Sequence, residues 1–282
     1  MSATVRVGAA CAEFTHDKDA NLGVLEDYIR TASGDGVQLL VFPECAVQGY
    51  PMKLAQDGYD DHYQQLRDAE PVPGPALERL ASVAKEQGVE VVVGLTERPD
   101  EPGPSGKVYN SVAFLTDGAV AGRYRKVHTG NVEKTLWSRG EDWTVCDSVA
   151  GRLGFLICYD LVFPEAARCL ALAGAELLVM STAWTKGPIE EGYDLFTRAR
   201  ALENQVFLVA SNQTGGPDGV FSGHSRIVSP RGELLAESAG AGIAVADLDV
   251  EEGLLDARAR GWLGQVFLSD RAPSAYRSLA DS

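Results

Sequence analysis

The chain has 282 residues, 45% hydrophobic and 23% charged, which is enough to bury a core without metals or disulfide staples. Its formal net charge of -15, from 40 acidic and 25 basic residues, argues against a nucleic-acid or anionic-membrane partner, because phosphate binding needs a basic footprint. The five cysteines, Cys11, Cys45, Cys146, Cys158 and Cys169, lack metal-type spacing and suit reduced thiols in a cytoplasmic protein.

The chain enters a strand-like run with no apolar signal segment ahead of it, and no apolar run approaches the roughly 20 residues that span a bilayer. Thr4 to Ala10 reads as a strand, Leu22, Leu25, Tyr28 and Ile29 mark one face of a helix, and Val37 to Phe42 is a short buried strand. Pro73-Gly74-Pro75 precedes a second helix carrying Leu77, Leu80, Val83 and Ala84, which Gly88 stops before the strand Val89 to Leu95. Arg98 to Gly106, rich in Pro and Gly, reads as a surface loop. Tyr109 to Leu115 and Val120 to Arg125 flank Asp117-Gly118, a hairpin signal.

The second half repeats this order. Leu153 to Ile157 is a strand, Pro164 to Ala173 a helix and Ala175 to Ser181 a strand. Tyr193 to Asn204 reads as a helix and Val206 to Ser211 as a strand. Ile227-Val228 and Leu234-Leu235 lie either side of the turn Ser229-Pro230-Arg231-Gly232, and Gly242 to Leu248 is the last strand. The alternation predicts one α/β domain of two βαβ-like halves with helices outside, and the hairpins predict mixed sheets.

Functional side chains gather at three strand ends. Val41-Phe42-Pro43-Glu44-Cys45 stops an apolar strand at Pro43 and presents Glu44, a carboxylate that would be costly to bury without a task. Arg123-Tyr124-Arg125-Lys126-Val127-His128 delivers Lys126. Gly154-Phe155-Leu156-Ile157-Cys158-Tyr159-Asp160 ends an apolar strand at a cysteine just before a helix.

In these segments the chain resembles the nitrilase superfamily, the carbon–nitrogen hydrolases, from Val5 to about Tyr276. Arg198-Ala199-Arg200-Ala201-Leu202-Glu203-Asn204 and Gly223-His224-Ser225 extend the match. The resemblance implies a catalytic group of Glu44, Lys126 and Cys158, with Glu133 as a second glutamate. It also implies an α/β fold that is a four-layer α-β-β-α sandwich, where an unaided reading stops at two layers. Residues 1-260 would form the hydrolase domain, and 261-282 a tail packing at a homodimer interface. Trp262 to Tyr276 is apolar and loop-like enough for that role.

The chemistry suits those residues. A free thiol has a pKa of roughly 8.5, and a neighbouring ammonium and a helix N-terminus both favour the thiolate. Glu44 would take the proton, and Lys126 with the Tyr159 backbone N–H would hold the oxyanion. No metal or other cofactor is required. His128 reads as a structural hydrogen-bonding residue rather than a base.

Superfamily nitrilases follow the cysteine with Trp-Glu, whereas this chain has Tyr159-Asp160, which resembles amidases and carbamoylases. Relatives that grip a carboxylate carry Arg after that Asp. Here Leu161-Val162 points instead to a neutral or cationic aliphatic amide. Tyr50 and Trp184 are candidate pocket walls. Glu190, Glu191 and Asp194 either receive an amine tail or simply favour a helix start. The leading reading is a short-chain aliphatic amidase releasing ammonia. Its rivals are a carbamoyl-amine hydrolase releasing carbon dioxide as well, and a catalytically silent binding relative.

Overall fold

The computed structural model describes residues 4–52, 60–99, 108–130, 133–260 and 264–279. The first half of the chain supplies β1 (Val5–Cys11), α1 (Lys18–Gly34), β2 (Leu39–Val41), α2 (Asp60–Asp68), α3 (Pro75–Gln87), β3 (Glu90–Glu97), β4 (Val108–Thr116) and β5 (Ala119–Arg125). The α1 helix starts where Asp17 accepts the Ala20 N–H, and α3 ends where Gly88 turns left-handed at φ 66°. A short β6 (Trp137–Ser138) follows, then β7 (Val145–Ser148), β8 (Gly151–Ile157), α4 (Pro164–Leu172), β9 (Leu177–Thr182), α5 (Glu190–Asn204) and β10 (Phe207–Asn212). The chain closes with β11 (Thr214–Gly215), β12 (Phe221–Ser222), β13 (Ser225–Val228), β14 (Leu234–Ser238), β15 (Gly242–Leu248) and α6 (Val250–Leu255).

One sheet runs β15-β1-β2-β3-β4-β5, with β6 paired to β4, and the other runs β14-β13-β10-β9-β8-β7. Each has three parallel strands at its centre, β1-β2-β3 and β8-β9-β10, with antiparallel strands outside them. Both sheets are therefore mixed, as the hairpin signals imply. The last strand, β15, returns to pair with β1 of the first half, which ties the two ends of the domain into one sheet.

Burial sorts the layers. Leu22, Leu25 and Ile29 of α1 and Leu77 and Leu80 of α3 pack on Ala10, Leu40, Val91 and Val93 of the first sheet. Each such side chain, taken fully from water, stabilises by about 2 kcal/mol. The opposite face of that sheet, with Val7, Val41 and Phe114, meets the second sheet, and Phe114 stands 6.3 Å from Phe155. Ala166 and Leu170 of α4 and Ala201 of α5 cover the outside of the second sheet. The result is four layers, α-β-β-α.

Most predicted elements coincide with observed ones to within a few residues at their ends. The helix read from Tyr193 begins at Glu190. The mainly polar α2 has no periodic apolar face to announce it. Of the loop read over Arg98 to Gly106, residues 100–106 lie outside the described residues, as does Trp262 of the tail. No helix among the described residues is long and apolar enough to cross a membrane.

Candidate active site

β2 leaves the first sheet at Val41. Phe42 still donates to the Val92 carbonyl at 2.8 Å, but Pro43 has no N–H and the ladder stops. Gly94 of β3 makes room for this exit, because a Cβ there would lie 2.5 Å from the Pro43 carbonyl and 2.7 Å from the Cys45 nitrogen. Glu44 is thereby turned inward with no exposed surface. Its Oε1 accepts from Lys126 Nζ at 2.7 Å and from Asn110 Nδ2 at 2.6 Å, and its Oε2 from the Ala183 N–H at 3.0 Å.

Lys126 directly follows β5. Its N–H donates to the Asn110 carbonyl at 2.8 Å, and its own carbonyl accepts from Gly140 at 2.8 Å, so both sides of the residue are pinned. The ammonium also donates to Glu133 Oε1 at 2.7 Å. A single 3₁₀ turn, Glu133–Thr135, presents that carboxylate. It accepts in addition from the Tyr50 hydroxyl at 2.8 Å and the Gly130 N–H at 2.6 Å.

Two carboxylates thus flank one ammonium in a buried cluster, and the surplus negative charge must settle on one of them. Burial pushes Glu44 above its ordinary value of 4.5, and the opposing pull of Lys126 does not cancel it. Burial also pushes on Glu133, but the Lys126 ammonium and the donors from Lys126, Gly130 and Tyr50 outweigh it and hold this group low. Lys126 is driven down by burial and up more strongly by Glu133 and Glu44, so it stays an ammonium. Glu44 is the better proton acceptor of the two carboxylates. Burial and Glu133 likewise keep the Tyr50 phenol neutral, as a donor must be.

β8 delivers Cys158 at φ +43°, a left-handed conformation that a side chain adopts only under local constraint. The constraint is Asp160, fully buried in the 3₁₀ turn Cys158–Val162. Asp160 accepts from the Ile157 N–H at 3.0 Å, the Tyr124 hydroxyl at 2.7 Å and the His128 N–H at 2.9 Å. His128 Nδ1 also lies 2.9 Å from it, and the imidazole stacks on Phe163 at 3.8 Å. His128 is a structural partner here, as the sequence suggests.

The thiol differs from the sequence expectation. Burial, then the charge of Glu44, push Cys158 well above the ordinary 9.0, and the ammonium of Lys126 only partly offsets them. Helix α4 begins at Pro164, beyond the 3₁₀ turn, so its N-terminus is not at the thiol. Burial and the neighbouring carboxylate both favour the neutral thiol.

Cys158, Lys126, Glu133, Tyr50 and Trp184 line one cavity of about 270 Å³. Glu44, fully buried, is not part of the lining and reaches the site through its bond to Lys126. Tyr159, 41% exposed, and Ile189, 54% exposed, stand at its edge. Trp184 is fixed by donation from its indole to the Ile189 carbonyl at 2.9 Å and by contact with Tyr193 at 5.4 Å. Glu190, Glu191 and Asp194 do not line the cavity, and Asp194 is held by Arg226 at 2.7 Å.

The sequence model of the carbon–nitrogen hydrolase family matches residues 4–253, most of the chain. The chain belongs to the carbon–nitrogen hydrolase family. A Schizosaccharomyces pombe protein named "Probable nitrilase" is 31% identical over 98% of this chain and 99% of its own. An omega-amidase of Xenopus tropicalis is 33% identical over 83% of this chain and 84% of its own. A mutant of the Nesterenkonia AN1 amidase, from the nitrilase superfamily, superposes with a TM-score of 0.78 at 29% identity, covering 99% of this chain and 98% of the other. Further structures of that amidase hold butyramide or acrylamide, or show the acetamide moiety of fluoroacetamide added covalently to the active-site cysteine. The protein is an amidase-type carbon–nitrogen hydrolase of the nitrilase superfamily.

In this carbon–nitrogen hydrolase the structure brings together every side chain singled out from the strand-end motifs. Sequence reading missed Asn110, the Ala183 N–H and the Asp160 clamp. Asn110 left one trace, a polar Asn110-Ser111 pair within an otherwise apolar strand. The other two contacts join segments far apart along the chain and left none.

Proposed function

We propose that this enzyme hydrolyses a small neutral aliphatic amide to a carboxylic acid and ammonia through a thioester at Cys158. The observation that carries the proposal is a thiol, an ammonium and the Glu133 carboxylate lining one cavity, with Glu44 bonded to that ammonium and the rest of the lining largely apolar. Lys126 is the only Lys or Arg among the described residues of that lining, and Glu44 and Glu133 already flank it. Among the described residues a substrate carboxylate would therefore meet no free cation there. Leu161, fully buried, and Val162 after Asp160 supply none either.

Glu44 takes the proton of Cys158 as sulfur attacks the carbonyl carbon, so the thiolate forms only as it is used. The oxyanion is received by the Lys126 ammonium and the Tyr159 backbone N–H, and such a donor is typically worth about 3 kcal/mol. The intermediate collapses as Glu44 passes its proton to the departing nitrogen, and ammonia leaves. Glu44 then deprotonates the water that cleaves the thioester, and the proton returns to sulfur with release of the acid. Glu133 keeps Lys126 charged and aimed.

The amides held by the Nesterenkonia AN1 amidase support this substrate class, as does the adduct at its cysteine. Ammonia and carbon dioxide measured across small aliphatic amides and ureido compounds test it. Ammonia alone from butyramide-like amides is expected. Turnover of ureido compounds with carbon dioxide release, and none of amides, would overturn it in favour of a carbamoyl-amine hydrolase.

A homodimer fits the same molecule. Leu172 of α4 is 50% exposed and Leu195 of α5 is 68% exposed, apolar surface that a second copy would cover. The tail beside these helices starts from its own subunit, where Gln205 Nε2 donates to the Gln265 carbonyl at 3.0 Å and Gln205 Oε1 accepts from the Phe267 N–H at 2.9 Å. The five free cysteines suit a reducing, cytoplasmic setting.

A further inference from the structure

Asn110 sits on β4 with 1% of its surface exposed, between the two segments that supply the carboxylate and the ammonium. Its main-chain carbonyl accepts the Lys126 N–H at 2.8 Å, and its side-chain Nδ2 donates to Glu44 Oε1 at 2.6 Å. That same oxygen takes the Lys126 ammonium at 2.7 Å. One residue therefore fixes the backbone from which Lys126 reaches and the carboxylate that it reaches to. The amide is itself oriented, because Cys45 Sγ donates to Asn110 Oδ1 at 3.8 Å and so turns the NH₂ toward Glu44. A flipped amide would set two oxygens against each other beside Glu44. Asn110 is not among the residues that line the cavity, and its contacts run to Glu44, Lys126 and Cys45.

We propose that Asn110 is the positioning residue of the general base, holding Glu44 in its proton-accepting form and orientation while Cys45 holds Asn110. The proposal rests on the reading of Glu44 as the base. A hydrogen bond donated to a carboxylate favours its charged form. Loss of the donor lets Glu44 hold its proton to higher pH, which moves the acid limb of kcat/KM upward. A charge-assisted bond of ordinary strength corresponds to a shift of about one pH unit.

The test compares Asn110→Ala, Cys45→Ala and Glu44→Gln with the parent enzyme, using ammonia release from butyramide and the rate of Cys158 alkylation by iodoacetamide, each against pH. Asn110→Ala is expected to move the acid limb of both profiles up by about one unit and to lower kcat roughly tenfold near the parental limb, with KM unchanged. Cys45→Ala is expected to move the limb in the same direction by less. Glu44→Gln separates the two readings, since its near-normal turnover would remove the base itself. An inactive Glu44→Gln together with an Asn110→Ala limb at the parental position would overturn the Asn110 proposal alone. A lower melting temperature with an unmoved limb would likewise reduce Asn110 to a packing residue. If Asn110→Ala does not fold, an unmoved limb in Cys45→Ala overturns the proposal instead.

Discussion

The hydroxyl of Tyr124, on β5 of the first sheet, donates at 2.7 Å to Asp160 in the turn that follows β8 of the second. Tyr124 lies two positions before Lys126 and Asp160 two positions after Cys158, so this one bond joins the strand that delivers the ammonium to the turn that delivers the thiol. Both groups are buried, and Asp160 additionally receives the Ile157 and His128 N–H donors. Asp160→Ala would leave these donors unpaired in the interior. We expect it to destabilise by about 3 kcal/mol and to lower kcat as Cys158 and Lys126 lose registry. Thermal unfolding of the variant with an intact melting temperature would show that Asp160 does not carry this load.

The left-handed backbone of Cys158, at φ +43°, yields a stability comparison between two inactive variants. Cys158→Ala and Cys158→Gly both remove the thiol and are expected to abolish turnover. Glycine adopts this conformation without a Cβ penalty of about 1 kcal/mol, set against its greater freedom in the unfolded chain. Cys158→Gly should therefore melt no lower than Cys158→Ala, the reverse of the usual order for these residues. A clearly lower melting temperature for the glycine variant would mean that the turn is not strained.

The pH profile follows from the directions of the shifts. Glu44 is held above the ordinary 4.5, so its proton-accepting form is lost as pH falls through that raised value, and the acid limb of kcat/KM lies above 4.5. Lys126 and Cys158 both lie above their ordinary values of 10.5 and 9.0, so neither produces an alkaline fall below pH 9.0. A plateau through neutrality with a single limb on the acid side is expected. An alkaline fall near neutrality would assign the rate to a preformed ion pair instead.

Glu133 titrates the other way. Its folded value is lowered, chiefly because the Lys126 ammonium and its donors outweigh burial, so its contribution to stability is complete above the unfolded carboxylate value. That contribution is lost as pH falls through the folded value. Glu133→Gln should flatten the acid side of the stability curve and, with Lys126 less firmly held, lower kcat at least about tenfold. Denaturant unfolding between pH 3 and pH 7, compared with the parent as an order-of-magnitude range, reads the first effect. An unchanged acid slope would remove Glu133 from the linkage.

Substrate preference follows from the cavity wall. Butyramide should be turned over at least about a hundredfold more efficiently than an amide of similar length ending in a carboxylate, because burying an unpaired carboxylate costs several kcal/mol. Initial rates on the two amides decide it. Comparable kcat/KM for both would reveal a cation serving the cavity from elsewhere in the molecule.

The linear sequence by itself determined the alternation of strands and helices, the mixed sheets and the three strand ends where chemistry gathers. Those are local matters, written in apolar periodicity, in Pro43 ending a ladder and in Gly88 ending a helix. The strand ends that carry Glu44, Lys126 and Cys158 were also legible, because short motifs marked them, and the family resemblance pointed to Glu133, which the structure places against Lys126. Tertiary structure alone decided how these groups behave. Strands apolar on both faces do not say whether a helix or a second sheet covers them, so unaided reading stopped at two layers where four exist. Burial, which no motif states, raises Glu44 and Cys158, while the ammonium and donors gathered around Glu133 outweigh it there and hold that carboxylate low. The contacts that hold the set together, Asn110 to Glu44, Ala183 to Glu44 and Tyr124 to Asp160, run between segments distant along the chain and exist only once the two sheets are stacked.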